Sequence, residues 1–197
     1  MPTPESGQKY DDASWHAGGD FPEDVPYSQG GVHIAIFLAW VIRRGLYNSE
    51  LFETADVEVV EQRTISILGL LDRFDEKLVS EELSGEGNAF AKYYYGLPLQ
   101  GVVPPYLNDY ERTLGAGLPS LYHVAPTWEN YAKLEPIIEQ RYREWVASGR
   151  PTQPAGSSHA RVPTSRLRNV LAWIVGIVLF GFGALFMVAW FLAWLHR

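Results

Sequence analysis

The stretch YDDASWHAGGDFPED, residues 10–24, gathers five carboxylates, one histidine and one tryptophan around a Gly-Gly pair. Asp11, Asp12, His16 and Asp20 belong to it, and His33 follows shortly after. Carboxylate and imidazole together can ligate a divalent metal ion or act as general acid and base. Gly18-Gly19 lets the backbone fold back, so the flanking residues can meet. The same residues also suit a plain loop. Asp and Gly are turn formers, Pro22 and Pro26 punctuate it, and Trp15 and Phe21 can pin it to a core. His33, beside an apolar run, has the ordinary alternative of a hydrogen-bonded core histidine. Of the five histidines, His159 falls in a linker and His196 at the tail, which leaves His16, His33 and His123 for any site.

Other chemistry is excluded or unsupported. The chain has no cysteine, so disulfides, thiolate nucleophiles and cysteine-ligated zinc are ruled out. No phosphate-binding glycine loop, dinucleotide fingerprint, nucleophile elbow or His-Glu-x-x-His motif occurs, and no cofactor is expected. Three consecutive tyrosines, Tyr93, Tyr94 and Tyr95, cannot all be buried on one face of a regular helix or strand. Together with Trp128 they form the candidate contact surface for a protein partner, because amphipathic aromatics suit interfaces. The default for TWENYAKLEPIIEQRYREW is a solvated amphipathic helix.

The elements that must position these residues read mainly as helices. Val32 to Ile42 is almost wholly apolar and ends in Arg43-Arg44-Gly45, the pattern of a buried helix with a glycine stop. Apolar residues from Val57 to Leu78 recur at gaps of three and four, which predicts an amphipathic helix with a break near Asp72. Ala89–Tyr95 fits helix or strand. Pro104-Pro105 opens a helix through Leu114 that GAG stops. The SLYHV stretch, 120–124, alternates weakly and reads as a short strand. Thr127 caps the next helix, which Pro136 kinks or divides, with Leu134, Ile138, Tyr142 and Trp145 on one face.

Charge and hydropathy then divide the chain. The first 148 residues hold all 23 acids and 11 of the 16 basic residues, a net −12; the remainder is +5. An acidic globular part argues against nucleic-acid binding, which needs basic surface. Residues 149–168 are rich in proline and small polar residues and read as a flexible basic linker. Val170–Leu195 runs for 26 residues without a charge, enough to cross a bilayer. Trp173 and Trp194 stand about 31 Å apart along a helix. With Trp190 they form the two sides of an aromatic belt, and Arg166 and Arg168 reach the headgroups. Arg161, Arg166 and Arg168 precede the span and only Arg197 follows, which places the acidic domain in the cytoplasm. Ala172/Gly176 and Ala189/Ala193 are small-residue pairs that allow a homodimer through the membrane helix.

The organisation expected is therefore a polar tail (1–8), an acidic globular domain (9–148), a linker (149–168) and a transmembrane helix (169–195). The fold class is mainly α, a compact helical domain with room for short strands. The blocks YDDASWHAGGDFPED, GGVHIAIFLAWVIRRGL, EGNAFAKYYY and LYHVAPTWENYAKLEPIIEQRYREW together resemble a bacterial domain family of unknown function, over roughly residues 9–147. This chain departs from the pattern at Val32 and Ala35, where threonine and glycine are expected. The resemblance implies one module and carries no activity.

Three functions fit these features. The first is a tail-anchored inner-membrane protein whose cytoplasmic domain is a non-enzymatic interaction module, of adaptor or immunity type. The second is a membrane-tethered metal-binding protein or hydrolase using the Asp/His cluster of residues 11–33. The third is an accessory subunit of a membrane complex.

Overall fold

The computed structural model describes residues 7–19, 21–96 and 103–152. At its centre lies α1 (Val32–Arg44), in which every residue from Val32 to Ile42 is buried, His33 included. A helix apolar on all sides must be covered on all sides. α2 (Thr54–Glu61), α3 (Ile67–Asp72) and α6 (Trp128–Ala147) pack against it, as does one strand of a small sheet. Gly45 ends α1 in the left-handed conformation (φ 72°), its N–H returning to the Ile42 carbonyl, as the glycine stop predicts.

The sheet is a two-stranded antiparallel pair, β1 (Lys9–Asp12) with β2 (Lys77–Val79). Lys9 pairs with Val79 but Asp11 with Leu78, so β1 carries one extra residue. This bulge breaks the in-and-out alternation of a strand. Tyr10, Asp11 and Asp12 are all buried as a result. Tyr10 donates from its hydroxyl to Asn88, whose amide in turn donates to the Ser80 and Leu83 carbonyls.

Residues 57–78 do not form the helix expected, broken only near Asp72. Arg63 adopts a positive φ of 55° and ends α2. The Ser66 side chain then accepts from the Gly69 N–H and starts α3. A left-handed pair, Asp75-Glu76, then turns the chain into β2. The apolar spacing came from three consecutive elements burying one residue set, not from one helix. Ala89–Tyr95 is helical: α4 (Gly85–Phe90) continues into a π turn over Ala91–Tyr95. SLYHV is a 3-10 turn over Leu121–His123 rather than a strand, because the Ser120 side chain accepts from the Tyr122 N–H and bends it.

α5 (Pro105–Leu114) begins at its proline and closes at Gly115, as expected. Thr127 caps α6 through the Asn130 N–H. Pro136 neither divides α6 nor starts a new helix. It lies on the exposed face, as does Ala132, so the carbonyl that loses its partner reaches water. Leu134, Ile138, Tyr142 and Trp145 are buried on the opposite face with Tyr131. Residues 149–151, expected to start the linker, lie against the domain: Arg150 donates to Glu86 and the Trp145 indole to the Pro151 carbonyl. The rest of the linker and the apolar span, with Trp173, Trp190, Trp194, Arg166 and Arg168, lie outside the described residues. Among the described residues no helix is long and apolar enough to cross a membrane.

One buried acid makes stability depend on pH. Glu82 accepts the Val79 N–H behind the sheet. Burial pushes its carboxyl from the usual 4.5 up to about 7, with Glu81 and Asp75 adding to the rise. A raised folded-state pKa gives a contribution present below about 4.5 and lost as pH rises through about 7. That rise corresponds to about 3 kcal/mol. Glu82→Gln keeps the cap without the charge. The expected result in denaturant titrations is no difference from wild type at pH 4, growing to a stabilisation of about 2–3 kcal/mol at pH 8.

Candidate metal centre

The bulge in β1 aims Asp11 at two histidines. His16 ends the 3-10 turn that follows the strand, and its Nε2 lies 2.8 Å from Asp11 Oδ1. His33, on the first turn of α1, places Nε2 2.9 Å from Asp11 Oδ2. Tyr95 donates its hydroxyl to Oδ2 at 2.6 Å, and the Asp12 N–H donates to Oδ1 at 2.8 Å. An ionised carboxylate has about four acceptor positions, and four donors take them. The two imidazoles meet edge to face with centroids 4.8 Å apart. All three residues are buried.

Burial alone would raise the Asp11 carboxyl. The charge of His16 and hydrogen bonds from both imidazoles outweigh it and hold the carboxyl far below the usual carboxylate range. His16 shows the same contest: burial disfavours its charged form, but the carboxylate of Asp11 wins and raises its pKa. His33 goes the other way, because burial and the neighbouring His16 charge outweigh its bond to Asp11. The shared carboxylate thus favours the charged form of His16, while burial favours the neutral form of His33.

Two imidazole nitrogens and one carboxylate, with ligand atoms within 4.8 Å of one another, form a donor set suited to a divalent transition metal. An ion would replace the protons that both Nε2 atoms now direct at Asp11. Two tyrosines bond to residues of this set. Tyr95 holds Asp11, and Tyr106 donates to the His33 carbonyl at 2.6 Å. Gly30 keeps the approach tight: a Cβ there would stand 2.9 Å from the Cβ of His16.

The other candidates from the sequence divide clearly. Asp12 turns away, accepting from Ser14 at the start of the 3-10 turn and from Lys9 Nζ at 2.6 Å. Asp20 lies outside the described residues. His123 is elsewhere, between Ser120 and Asp24. Tyr94 and Tyr95 are buried, which corrects their assignment to a contact surface. The wider π turn sends both neighbours inward, Tyr95 to Asp11 and Tyr94 to Asp109. Tyr93 and Trp128 are half-buried, and the Trp128 indole donates to the Ile65 carbonyl. Sequence reasoning missed Tyr95, Tyr106 and Tyr122 as partners of the centre. The tyrosine run was the available signal, but it pointed outward.

The sequence profile of the domain of unknown function DUF7832 matches residues 9–124. The chain belongs to that family. No curated protein and no solved structure matches the chain. Asp11, His16, His33, Tyr95, Tyr106 and Tyr122 all fall inside the DUF7832 match, whereas α6 and the TWENY block lie beyond its end.

Proposed function

We propose that this chain is a membrane-tethered metal-binding protein whose Asp11, His16 and His33 hold one divalent transition-metal ion. The observation that carries the reading is the convergence of two imidazole Nε2 atoms on the two oxygens of one buried carboxylate. The metal would supply Lewis acidity; the chain would supply three ligands and hold the Asp11 carboxylate in place through Tyr95. The adaptor reading loses Tyr94 and Tyr95, two of the four residues offered for it, to the interior.

The test is a titration of the chelator-stripped full chain, in mild detergent, with Zn2+ and Co2+. One ion per chain is expected. His16→Ala and His33→Ala should each weaken binding on the order of 100-fold or more, while His123→Ala leaves it unchanged. Absence of stoichiometric uptake would leave the cluster a structural hydrogen-bond knot and end the proposal.

The tether rests on the apolar run Val170–Leu195 and the arginines before it. Protease added to inside-out vesicles should cut near the linker and release the domain. Protection there, with cleavage in spheroplasts, reverses the orientation.

A further inference from the structure

We infer that the state of the centre is relayed to α6 through the π turn, so that an ion held by Asp11, His16 and His33 tightens the docking of that helix. The inference rests on the metal reading above. It starts from two adjacent, buried tyrosines. Tyr95 donates its hydroxyl to Asp11 Oδ2 at 2.6 Å, and Tyr94 donates to Asp109 Oδ2 at 3.0 Å. Arg141 of α6 donates to that same Asp109 oxygen at 2.8 Å. The path from Asp11 to α6 is thus two hydrogen bonds, one peptide bond and one ion pair. Packing follows the same route. The Phe90 ring, just before the π turn, lies 5.2 Å from Tyr94 and, on α6, 5.2 Å from Tyr142 and 5.4 Å from Trp145.

The π turn is the element able to switch. It closes through the Gly96 N–H and the Ala91 carbonyl, one residue wider than an α turn. Such turns are rare and occur mostly at functional sites. In a regular α turn the residues at its end would sit about 100° further round the axis. Tyr94 and Tyr95 would then not both reach their acids. Lifting α6 takes Arg141 from Asp109 and the cover from Phe90 and Tyr94, which frees the turn to narrow. Narrowing draws Tyr95 away from Asp11.

An ion opposes that step. With the ion on both Nε2 atoms the ring protons are gone, and the Tyr95 hydroxyl and the Asp12 N–H are the donors left to Asp11. Opening α6 then has to break a bond to a carboxylate that the ion holds in place. α6 begins beyond the end of the DUF7832 match and leads into the linker. The relay therefore runs from the family's module towards the segment that joins it to the proposed tether.

The experiment is hydrogen exchange on the full chain in mild detergent, with and without Zn2+, with zinc uptake measured on the same samples. Those α6 amides that exchange faster than the amides of α1 report opening of α6 alone. Zn2+ should slow them at least about five-fold. Tyr95→Phe keeps the ring and removes only the hydroxyl. It should still take up zinc and still slow exchange in α1, which carries His33, but leave α6 at its zinc-free rate. Zinc uptake that slows α1 and leaves wild-type α6 unchanged would overturn the relay while the metal reading stands. An α6 response that survives in Tyr95→Phe would do the same. A single exchange rate across α1 and α6 would mean that they open together, and would overturn a relay between separate elements. Failure to take up zinc would remove the metal reading and this inference with it.

Discussion

Asp11→Ala is expected to lower the unfolding free energy by about 3–5 kcal/mol, the range for stripping one partner from a buried ion pair. The carboxylate is the only acceptor that four buried donors share, from His16, His33, Tyr95 and the Asp12 backbone. Without it the two ring Nε2 groups and the Asp12 N–H lose their shared carboxylate, and the Tyr95 hydroxyl oxygen is the one acceptor left among these four groups. The donors come from the turn after β1, from α1 and from the π turn, so the loss loosens three contacts at once. Asp11→Asn keeps the shape and one acceptor oxygen, and a neutral imidazole can change tautomer to meet its amide. It should cost roughly 2 kcal/mol. Chemical denaturation of the chelator-stripped full chain checks both values. A cost for Asp11→Ala below about 1 kcal/mol would mean that water already satisfies these donors.

Asp109→Ala should destabilise the domain by about 2–4 kcal/mol, with its effect centred on α6. Asp109 is buried on α5 and accepts from three side chains. Arg141 of α6 forks onto both oxygens at 2.8 and 3.2 Å, Arg112 donates at 2.7 Å, and the Tyr94 hydroxyl at 3.0 Å. Both arginines are partly exposed and can turn to water when the acid is lost, which holds the cost below that of a wholly buried pair. Tyr94 cannot, since it is fully buried. Arg141→Ala should therefore cost less than Asp109→Ala, and the double variant less than the sum. Hydrogen exchange should show faster opening of α6 in Asp109→Ala while α1 keeps its protection. Uniform loss across both helices would show that α6 is not a separate cooperative unit.

Much of the fold is legible in contiguous residues. The apolar run with its Arg43-Arg44-Gly45 stop is α1 as expected; Pro105 and Gly115 bound α5; Thr127 caps α6. These features depend on dihedral preferences and on backbone groups a few residues apart, so neighbouring letters are enough. The 26-residue apolar run rests on composition and length alone and lies outside the described residues.

The centre was legible only as an inventory of acids and histidines. Which acid serves it depended on a bulge. In a regular strand Tyr10 and Asp12 share one face and Asp11 points to the other. The extra residue in β1 buries all three, sending Tyr10 to Asn88 and Asp11 to the histidines. The π turn has the same character. It brings Tyr95 to an acid 84 positions away and turns an expected contact surface into core. Neither irregularity has a local signature, because each is held by the donors and acceptors it meets across the fold. From its sequence alone this protein had helices with clear ends and the right chemical groups. Tertiary packing alone decided that Asp11, His16 and His33 meet, since only burial against α1 makes a shared carboxylate the cheapest way to satisfy them.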